Sequence, residues 1–269
     1  MTAVTREALL AAHDADLRTG AELAGATDVH RVGPLWLGRY GTRGFVTYRD
    51  LDGAGGEALD DLIGATVAHF AAIPGVDRFE WKTRGHDAPS DLADHLVRAG
   101  LVADDPETVM IGEADLLAAD LRPPDGVGLR RAGDGADLAA DVTAVGALHR
   151  EVFGPDSPDL DAQLLAQLSA PDAHVELWLA EADGAVVGAG RLDLVRGTRF
   201  AGLFGGATRA DQRHRGIYRA LTAARAASAL ARGASLVYAE CTGFSRPILE
   251  LSGLVAVTTT TPWTWRRDG

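Results

Sequence analysis

Apolar positions in the first half of the chain follow two periods, one of about 3.6 residues and one of 2 residues. Pro34 and Gly41 separate short runs with strand-like patterns, and Gly100 ends a run with helical spacing. The predicted helices are Thr5–Leu23, Ala58–Ala72 and Ser90–Ala99, and the predicted strands are Val29–Val32, Leu35–Tyr40, Gly44–Tyr48, Asp77–Lys82 and Thr108–Gly112. The pattern therefore predicts a mixed α+β domain over residues 1–121.

A second α+β pattern follows a proline-containing segment, Leu121–Gly126, that is typical of a linker. Asp183-Gly184 separates two strand-like runs, which predicts a hairpin. The predicted strands are Val127–Arg131, Val175–Glu181, Ala185–Val195 and Phe200–Thr208, and the predicted helices are Leu138–Phe153, Asp159–Leu168 and Ile217–Ala231. These elements predict a second domain over residues 127–269.

The segment between the strand Phe200–Thr208 and the next helix is rich in arginine. Arg209, Arg213, Arg215 and Arg219 lie there with one acid, Asp211. The first N–H groups of a helix have no internal partners, and a glycine such as Gly216 lets a ligand oxygen approach them. The spacing fits a phosphate site, and it equally fits a run of surface arginines at the start of an exposed helix.

Arg213-His214-Arg215-Gly216-Ile217-Tyr218 resembles the R/Q-x-x-G-x-G/A loop of the GNAT (GCN5-related) acetyltransferases. The resemblance extends from Val127 to Arg267. Ser235–Cys241 and Val255–Trp265 are similar to the last two strands of that family, and Ser245–Leu254 is similar to its short helix and "LGF" turn. It implies two domains of the GNAT fold, each with a mixed, mostly antiparallel sheet flanked by helices. It also implies acetyl-CoA as co-substrate, held by Gly206, Ala207, Thr208, Arg213, His214, Arg215, Gly216, Ile217 and Tyr218.

One position in the loop departs from the family pattern, because the last small residue is replaced by Tyr218. Its side chain either crowds the pyrophosphate or points away and lines the acyl site, and the sequence leaves both open. Gly205-Gly206 inside the predicted strand is typical of a bulge or of the close approach of another backbone or a ligand. A backbone N–H at Gly206, Ala207 or Thr208 is expected to polarise the thioester carbonyl.

The catalytic candidates are Glu240 as general base and Tyr218 as general acid. The tyrosine that many family members use as the acid has Leu249 at its position, so that role does not carry over. Asp193 is a second candidate base, Tyr238 is a second phenol, and the single cysteine, Cys241, is better explained as a small buried residue than as a nucleophile.

The first domain has no counterpart of the arginine loop. Gly53–Glu57 precedes its long helix, and Asp50, Asp52 and Glu57 stand where the second domain has arginines. Acids at a helix N-terminus complement the helix dipole and repel a pyrophosphate. We therefore interpret residues 1–121 as a GNAT-like domain that has lost its cofactor loop.

The formal net charge of −12 argues against a general nucleic-acid or membrane surface. The eight histidines show no metal-ligand spacing, and no signal peptide or membrane-length apolar run is present. The expectation is a cytoplasmic N-acetyltransferase that acts on a small primary amine, with a homodimer possible. Two alternatives stay open, a non-catalytic acyl-CoA sensor and an enzyme that acetylates a protein N-terminus or side chain.

Overall fold

The computed structural model describes residues 4–119, 122–155 and 161–267. Contacts divide the chain into two units. The N-terminal unit comprises Met1–Val109, Glu240–Gly243 and Ala256–Gly269, and the C-terminal unit comprises Met110–Ala239 and Phe244–Val255. The predicted helix start at Asp159 and the first linker residue, Leu121, fall outside the described residues.

The N-terminal unit has a mixed sheet with helices. Its elements are α1 (Arg6–Asp16), β1 (Asp28–Val32), β2 (Leu35–Tyr40), β3 (Arg43–Thr47), α2 (Glu57–Ala72), β4 (Arg78–Arg84), α3 (Leu92–Arg98) and β5 (Val102–Ala103). β6 (Glu107–Glu113) begins in this unit and ends in the next. The sheet order is β1-β2-β3-β4, with antiparallel pairing except between β3 and β4, which are parallel.

The first helix is shorter in the structure than the sequence predicts. The Thr5 hydroxyl accepts a hydrogen bond from Ala8 N at 3.2 Å, so Thr5 caps the N-terminus of α1. The helix ends at Asp16 and not at Leu23. Gly20–Leu23 forms a separate 3₁₀ turn, which the Thr19 hydroxyl caps. The short strand β5 and the helix that follows β6 were not predicted, because their few residues carry no clear period.

The C-terminal unit contains the strand and the helix on either side of the arginine-rich segment. They are α4 (Ala114–Ala118), β7 (Gly128–Arg131), α5 (Leu138–Phe153), α6 (Asp161–Leu168), β8 (Val175–Ala182), β9 (Ala185–Leu194), β10 (Phe200–Thr208), α7 (Ile217–Ala231), β11 (Leu236–Cys241), α8 (Arg246–Leu251) and β12 (Val255–Arg266). β11 begins in this unit and ends in the N-terminal unit, and only the first residue of β12, Val255, belongs to this unit.

The C-terminal strand was assigned from the sequence to the domain of residues 127–269. In the structure, Ala256–Gly269 lies with the N-terminal unit, where Thr260–Arg266 of β12 pairs antiparallel with β4. Trp263 of this strand packs in the core of that unit together with Trp81, Phe70 and Phe79. Burial of these large rings explains why the strand stays with this sheet.

Two helix layers cover the sheet of the C-terminal unit. Strands β7, β8, β9 and β10 are antiparallel neighbours, and β11 is parallel to β10. On one face α5 packs on Leu177, Leu179 and Ala189, and on the other face α7 packs on Ala180 and Val187. β10 therefore lies between two helices, and its peptide groups can be reached by side chains from both.

Strands β10 and β11 pair only at their beginnings. The parallel register joins Phe200, Ala201 and Gly202 to Leu236, Val237 and Tyr238, and β10 continues for six more residues to Thr208. The ladder between the two strands therefore ends at Gly202 and Tyr238. None of the described helices is both long enough and apolar enough to span a lipid bilayer.

Candidate functional site

The candidate site begins at an irregularity in β10. The register with β9 shifts between Phe204, opposite Arg191, and Ala207, opposite Ala189, so β10 carries one extra residue there. Gly205 has a φ of +58°, in the left-handed region. A glycine at the first position of a bulge adopts this conformation without strain. The bulge expected from the paired glycines is therefore present.

Side chains from both helix layers hold the carbonyl groups of the bulge. On one face, His149 of α5 donates from Nε2 to the Gly205 oxygen at 3.0 Å. On the other face, Arg225 of α7 donates from Nη1 to the oxygens of Phe204, at 3.4 Å, and Arg191, at 3.1 Å. The peptide planes on either side of Gly205 are thus fixed by bonds outside the ladder of β9 and β10.

Arg225 is an unusual member of this arrangement because its side chain is buried, at 1% exposure. Its described hydrogen-bond partners are oxygens of the backbone and of the Thr222 hydroxyl, together with the Tyr218 side chain. Burial lowers the pKa of Arg225, and the Tyr218 side chain opposes this effect. The sequence analysis did not single out Arg225, since a lone arginine in a predicted helix carries no sign of burial.

Tyr218 lies against the bulge. A Cβ placed on Gly206 would be 2.7 Å from Tyr218 Cε2, so only glycine leaves room for the ring at that position. No atom lies within 4 Å of a Cβ placed on Gly216. The ring of Tyr218 therefore packs against Gly206 and does not fill the space next to Gly216.

The arginine loop connects β10 to α7 through two left-handed residues, His214 with φ +61° and Gly216 with φ +86°. Arg213 donates from Nε to the Thr208 oxygen at 3.3 Å, which ties the loop to the end of β10. Arg215 donates to the Gln212 side chain and to the Asp125 oxygen. Arg213, His214 and Arg215 are all exposed. Backbone that alternates in this way forms anion-binding concavities.

The N-terminus of α7 is suited to an anion. Gly216 is its N-cap, no side chain caps the first turn, and no acid lies in that turn. Ile217, the first helical residue, is buried in the core at 1% exposure and anchors the helix. The N-terminus of α2 also begins at a glycine, Gly56, but carries Glu57 and Asp60 in its first turn. The N-terminus of α2 therefore carries acids and the N-terminus of α7 carries none, as the sequences of the two preceding loops predict.

Thr208, at the end of β10, has an orphaned hydroxyl. Its Oγ1 is buried and has no hydrogen-bond partner within the ranges of the chain that the structure describes. A buried hydroxyl without a partner costs free energy on the order of 1–3 kcal/mol. The residues present thus fit a ligand with phosphate and carbonyl oxygens, because the loop offers uncapped amides, guanidinium groups and an unsatisfied hydroxyl.

Glu240 belongs to a charged cluster of the N-terminal unit. Its carboxylate accepts a hydrogen bond from Lys82, whose Nζ is also 3.3 Å from Glu22 Oε1. Burial by itself lowers the pKa of Lys82, but the Glu240 and Glu22 carboxylates outweigh it and raise the pKa above the ordinary value. Glu240 is thus bound to a cation, and its role as general base stays a prediction.

The other candidates from the sequence have different surroundings. Asp193 accepts from Arg191 Nε at 2.7 Å, and burial raises the pKa of Asp193, although Arg191 opposes this. The Tyr238 ring packs edge-to-face on Phe204, with centroids 5.7 Å apart. Leu249 is a core residue at 1% exposure, and Cys241 is a buried free thiol. None of these observations assigns a catalytic role.

Comparison with known proteins identifies the class of this unit. Residues 143–247, which include the bulge, the arginine loop and α7, match the model of the Acetyltransferase (GNAT) family. No curated protein matches the sequence. The family match thus falls on the region that contains the loop motif, and it covers less than half of the chain.

Solved structures match over the full length of the chain. A GCN5-related N-acetyltransferase from Kribbella flavida has 16% identity and a TM-score of 0.68, and the match covers 100% of this chain and 98% of that one. A tandem GNAT protein from the clavulanic acid biosynthesis pathway has 13% identity and a TM-score of 0.58, with coverage of 100% and 98%. At these identities the likeness shows the fold, which is α+β and consistent with two GNAT-like domains.

Proposed function

We propose that this chain is an N-acetyltransferase that transfers an acetyl group from acetyl-CoA directly to the primary amine of a small molecule. The observation that carries the proposal is the open N-terminus of α7 at Gly216, with Arg213 and Arg215 beside it and a bulged β10 before it. The match of residues 143–247 to an acetyltransferase family supports it.

Residues of the loop have defined parts in this proposal. The backbone N–H groups that follow Gly216 would bind pyrophosphate oxygens, and the guanidinium groups of Arg213 and Arg215 would neutralise them. Bound acetyl-CoA supplies an acetyl group that is already activated as a thioester. The amides of Gly206, Ala207 and Thr208 are the candidates for stabilising the oxyanion, because a rigid donor costs no reorganisation during the reaction.

A sensor that binds acyl-CoA without turnover is the second candidate function. Two observations favour it. Leu249 is buried where many family members have the acidic tyrosine, and Glu240 is paired with Lys82. Release of CoA thiol over a panel of small amines distinguishes the two functions, because a sensor binds acetyl-CoA and releases none.

Calorimetric titration with acetyl-CoA tests the site itself. We expect Arg213→Glu/Arg215→Glu to lower the affinity on the order of 100-fold or more, since two charge-assisted contacts are each worth about 1.5–3 kcal/mol. Both side chains are exposed, so the fold should be unchanged.

The matched control is Arg78→Glu/Arg196→Glu. These arginines are exposed and each is paired with a neighbouring aspartate. The control changes the net charge by the same amount, and it isolates the local effect from the long-range field of a protein that is already acidic. Equal affinities in the two double variants would show that the loop does not hold the pyrophosphate.

A further inference from the structure

His149 has a position that the loop motif does not explain. It lies on α5 four residues after Val145, on the helix face that packs against the sheet, and it is half-buried. Its Nε2 is 3.0 Å from the oxygen of Gly205, at the bulge where the thioester carbonyl is expected. The centroid of the Phe153 ring is 5.7 Å from the centroid of the His149 ring.

The partner of Nε2 decides the tautomer of the neutral ring. A carbonyl oxygen only accepts hydrogen bonds, so Nε2 must carry the proton. Nδ1 then has a free lone pair and is the basic atom. Cε1, which is bonded to both nitrogens, would be 3.4 Å from a Cβ placed on Gly205, so the ring edge that carries Nε2 and Cε1 lies next to the exposed bulge.

The surroundings of His149 favour the neutral form. Burial lowers the pKa of His149 below its ordinary value of 6.5, the Gly205 carbonyl and the Asp161 carboxylate of α6 oppose this, and Arg191 of β9 adds to it. Among the described residues, Asp161 and Arg191 are the charged side chains that act on the ring. At neutral pH the ring is therefore ready to accept a proton.

We propose that His149 accepts the proton of the acceptor amine, with Nε2–H anchored on the Gly205 carbonyl and Nδ1 as the basic atom. This inference rests on the proposed acetyl transfer. As the amine nitrogen bonds to the thioester carbon, the C–S bond breaks and its electron pair stays on sulfur. The nitrogen gives one proton to Nδ1, directly or through one water, and the imidazolium passes it to the thiolate or to solvent.

The anchored ring also has a consequence for the acceptor. An aliphatic amine has a pKa of about 10, so it is mostly protonated at pH 7 and must lose a proton before it attacks. This first proton goes to solvent, and the neutral imidazole at the bulge accepts the second proton, which the nitrogen loses as the amide forms. The exposed ring of Phe153 beside His149, at 60% exposure, offers an apolar contact for the carbon skeleton of that amine.

Kinetics of His149→Gln provide the decisive test. The glutamine amide can still donate to the Gly205 carbonyl, but it cannot accept a proton. We expect kcat with an amine acceptor to fall 100-fold or more. The KM for acetyl-CoA should change less than threefold. In the wild-type protein kcat/KM should increase with pH in the range below 6.5, and in the variant this increase should disappear. His174→Gln, in the same unit and before β8, is the control and should keep the wild-type profile.

The outcomes separate the two proposals. If the wild-type protein releases no CoA thiol with any amine, the proposed function fails and this inference fails with it. If the wild-type protein is active and His149→Gln retains its kcat within threefold with an unchanged pH profile, only the inference fails. A long-range ¹H–¹⁵N histidine spectrum at pH 7.5 should show His149 protonated at Nε2 alone, and protonation at Nδ1 would overturn the assignment.

Discussion

The buried guanidinium of Arg225 makes a quantitative prediction about Gly190, which faces it from β9. A Cβ placed on Gly190 would lie 2.6 Å from both Arg225 Cζ and Nη1. Real Cβ contacts do not come this close, so Gly190→Ala must displace the guanidinium. Arg225 cannot move freely, because it donates to the oxygens of Leu221, Arg191 and Phe204 within a buried site.

The expected cost follows from two opposing terms. Inserting a methyl group into a packed site costs typically about 1–3 kcal/mol. Replacing a strand glycine by alanine returns about 0.5–1 kcal/mol through backbone entropy. Gly128→Ala is the control that isolates the steric cost at Gly190. Gly128 is also in a strand, it has no positive φ, and a Cβ placed on it would have no atom within 4 Å. Gly190→Ala should therefore be about 1–3 kcal/mol less stable than Gly128→Ala.

Urea unfolding followed at Trp178 measures this cost. Trp178 is the only tryptophan of the C-terminal unit, so a 5-fluorotryptophan signal at this position reports the unfolding of that unit by itself. In an Arg225→Met background the guanidinium is gone, and the penalty of Gly190→Ala should fall by about 1 kcal/mol or more. The reasoning is refuted if Gly190→Ala behaves like Gly128→Ala, or if its penalty is the same in both backgrounds.

Three further changes test other parts of the structure. Thr208→Val removes the orphaned hydroxyl, so thermal unfolding should show a gain of about 1 kcal/mol while calorimetry shows weaker acetyl-CoA binding; a loss of stability would mean that Oγ1 is bonded. Tyr218→Phe keeps the ring against Gly206, so acetyl-CoA affinity should hold while kcat falls about 10-fold or more if the phenol is the acid, and an unchanged kcat removes it from that role. For Glu22, burial alone raises the pKa, but Arg84, Lys82 and Thr47 bring it down to about 2 from 4.5. The stabilisation is thus complete above pH 4.5 and is lost as the pH falls towards 2, so Glu22→Gln should cost about 3 kcal/mol in urea unfolding at pH 7 and little at pH 2.

Many of the helices and strands were predictable because they are long segments with a clear hydrophobic period. The loop motif at Arg213–Tyr218 indicated the family, and the paired glycines Gly205 and Gly206 indicated the bulge. The position of His149 on the apolar face of α5, in step with Val142 and Val145, was a signal that could have been used. A polar side chain on a buried helix face needs a partner, and here the partner is a bulge carbonyl.

Other features depended on contacts that are distant in the sequence. The pairing of β12 with β4 joins positions about 180 residues apart, and nothing in either strand alone specifies it. The Lys82–Glu240 pair arises from the same return of the chain, which is why Glu240 was predicted as a base without its cation. The burial of Arg225 depends on the absence of a side chain at Gly190, and such a complementary pair has no sequence period.

Several departures from ordinary structure lie between residues 205 and 216 of the C-terminal unit. Helix α5 of the same unit begins conventionally, with the Asp137 side chain accepting from Ala140 N at 2.8 Å. By contrast, Gly205 interrupts β10, His214 is left-handed, α7 starts without a side-chain cap, and Thr208 leaves a hydroxyl unsatisfied. The left-handed conformation of His214 and the unsatisfied hydroxyl of Thr208 cost stability, and proteins retain such costs mainly where function requires them. Because the uncapped amides of α7 and the Thr208 hydroxyl can both bind one anionic ligand with a carbonyl, their proximity supports the proposed acetyl-CoA site independently of the family motif.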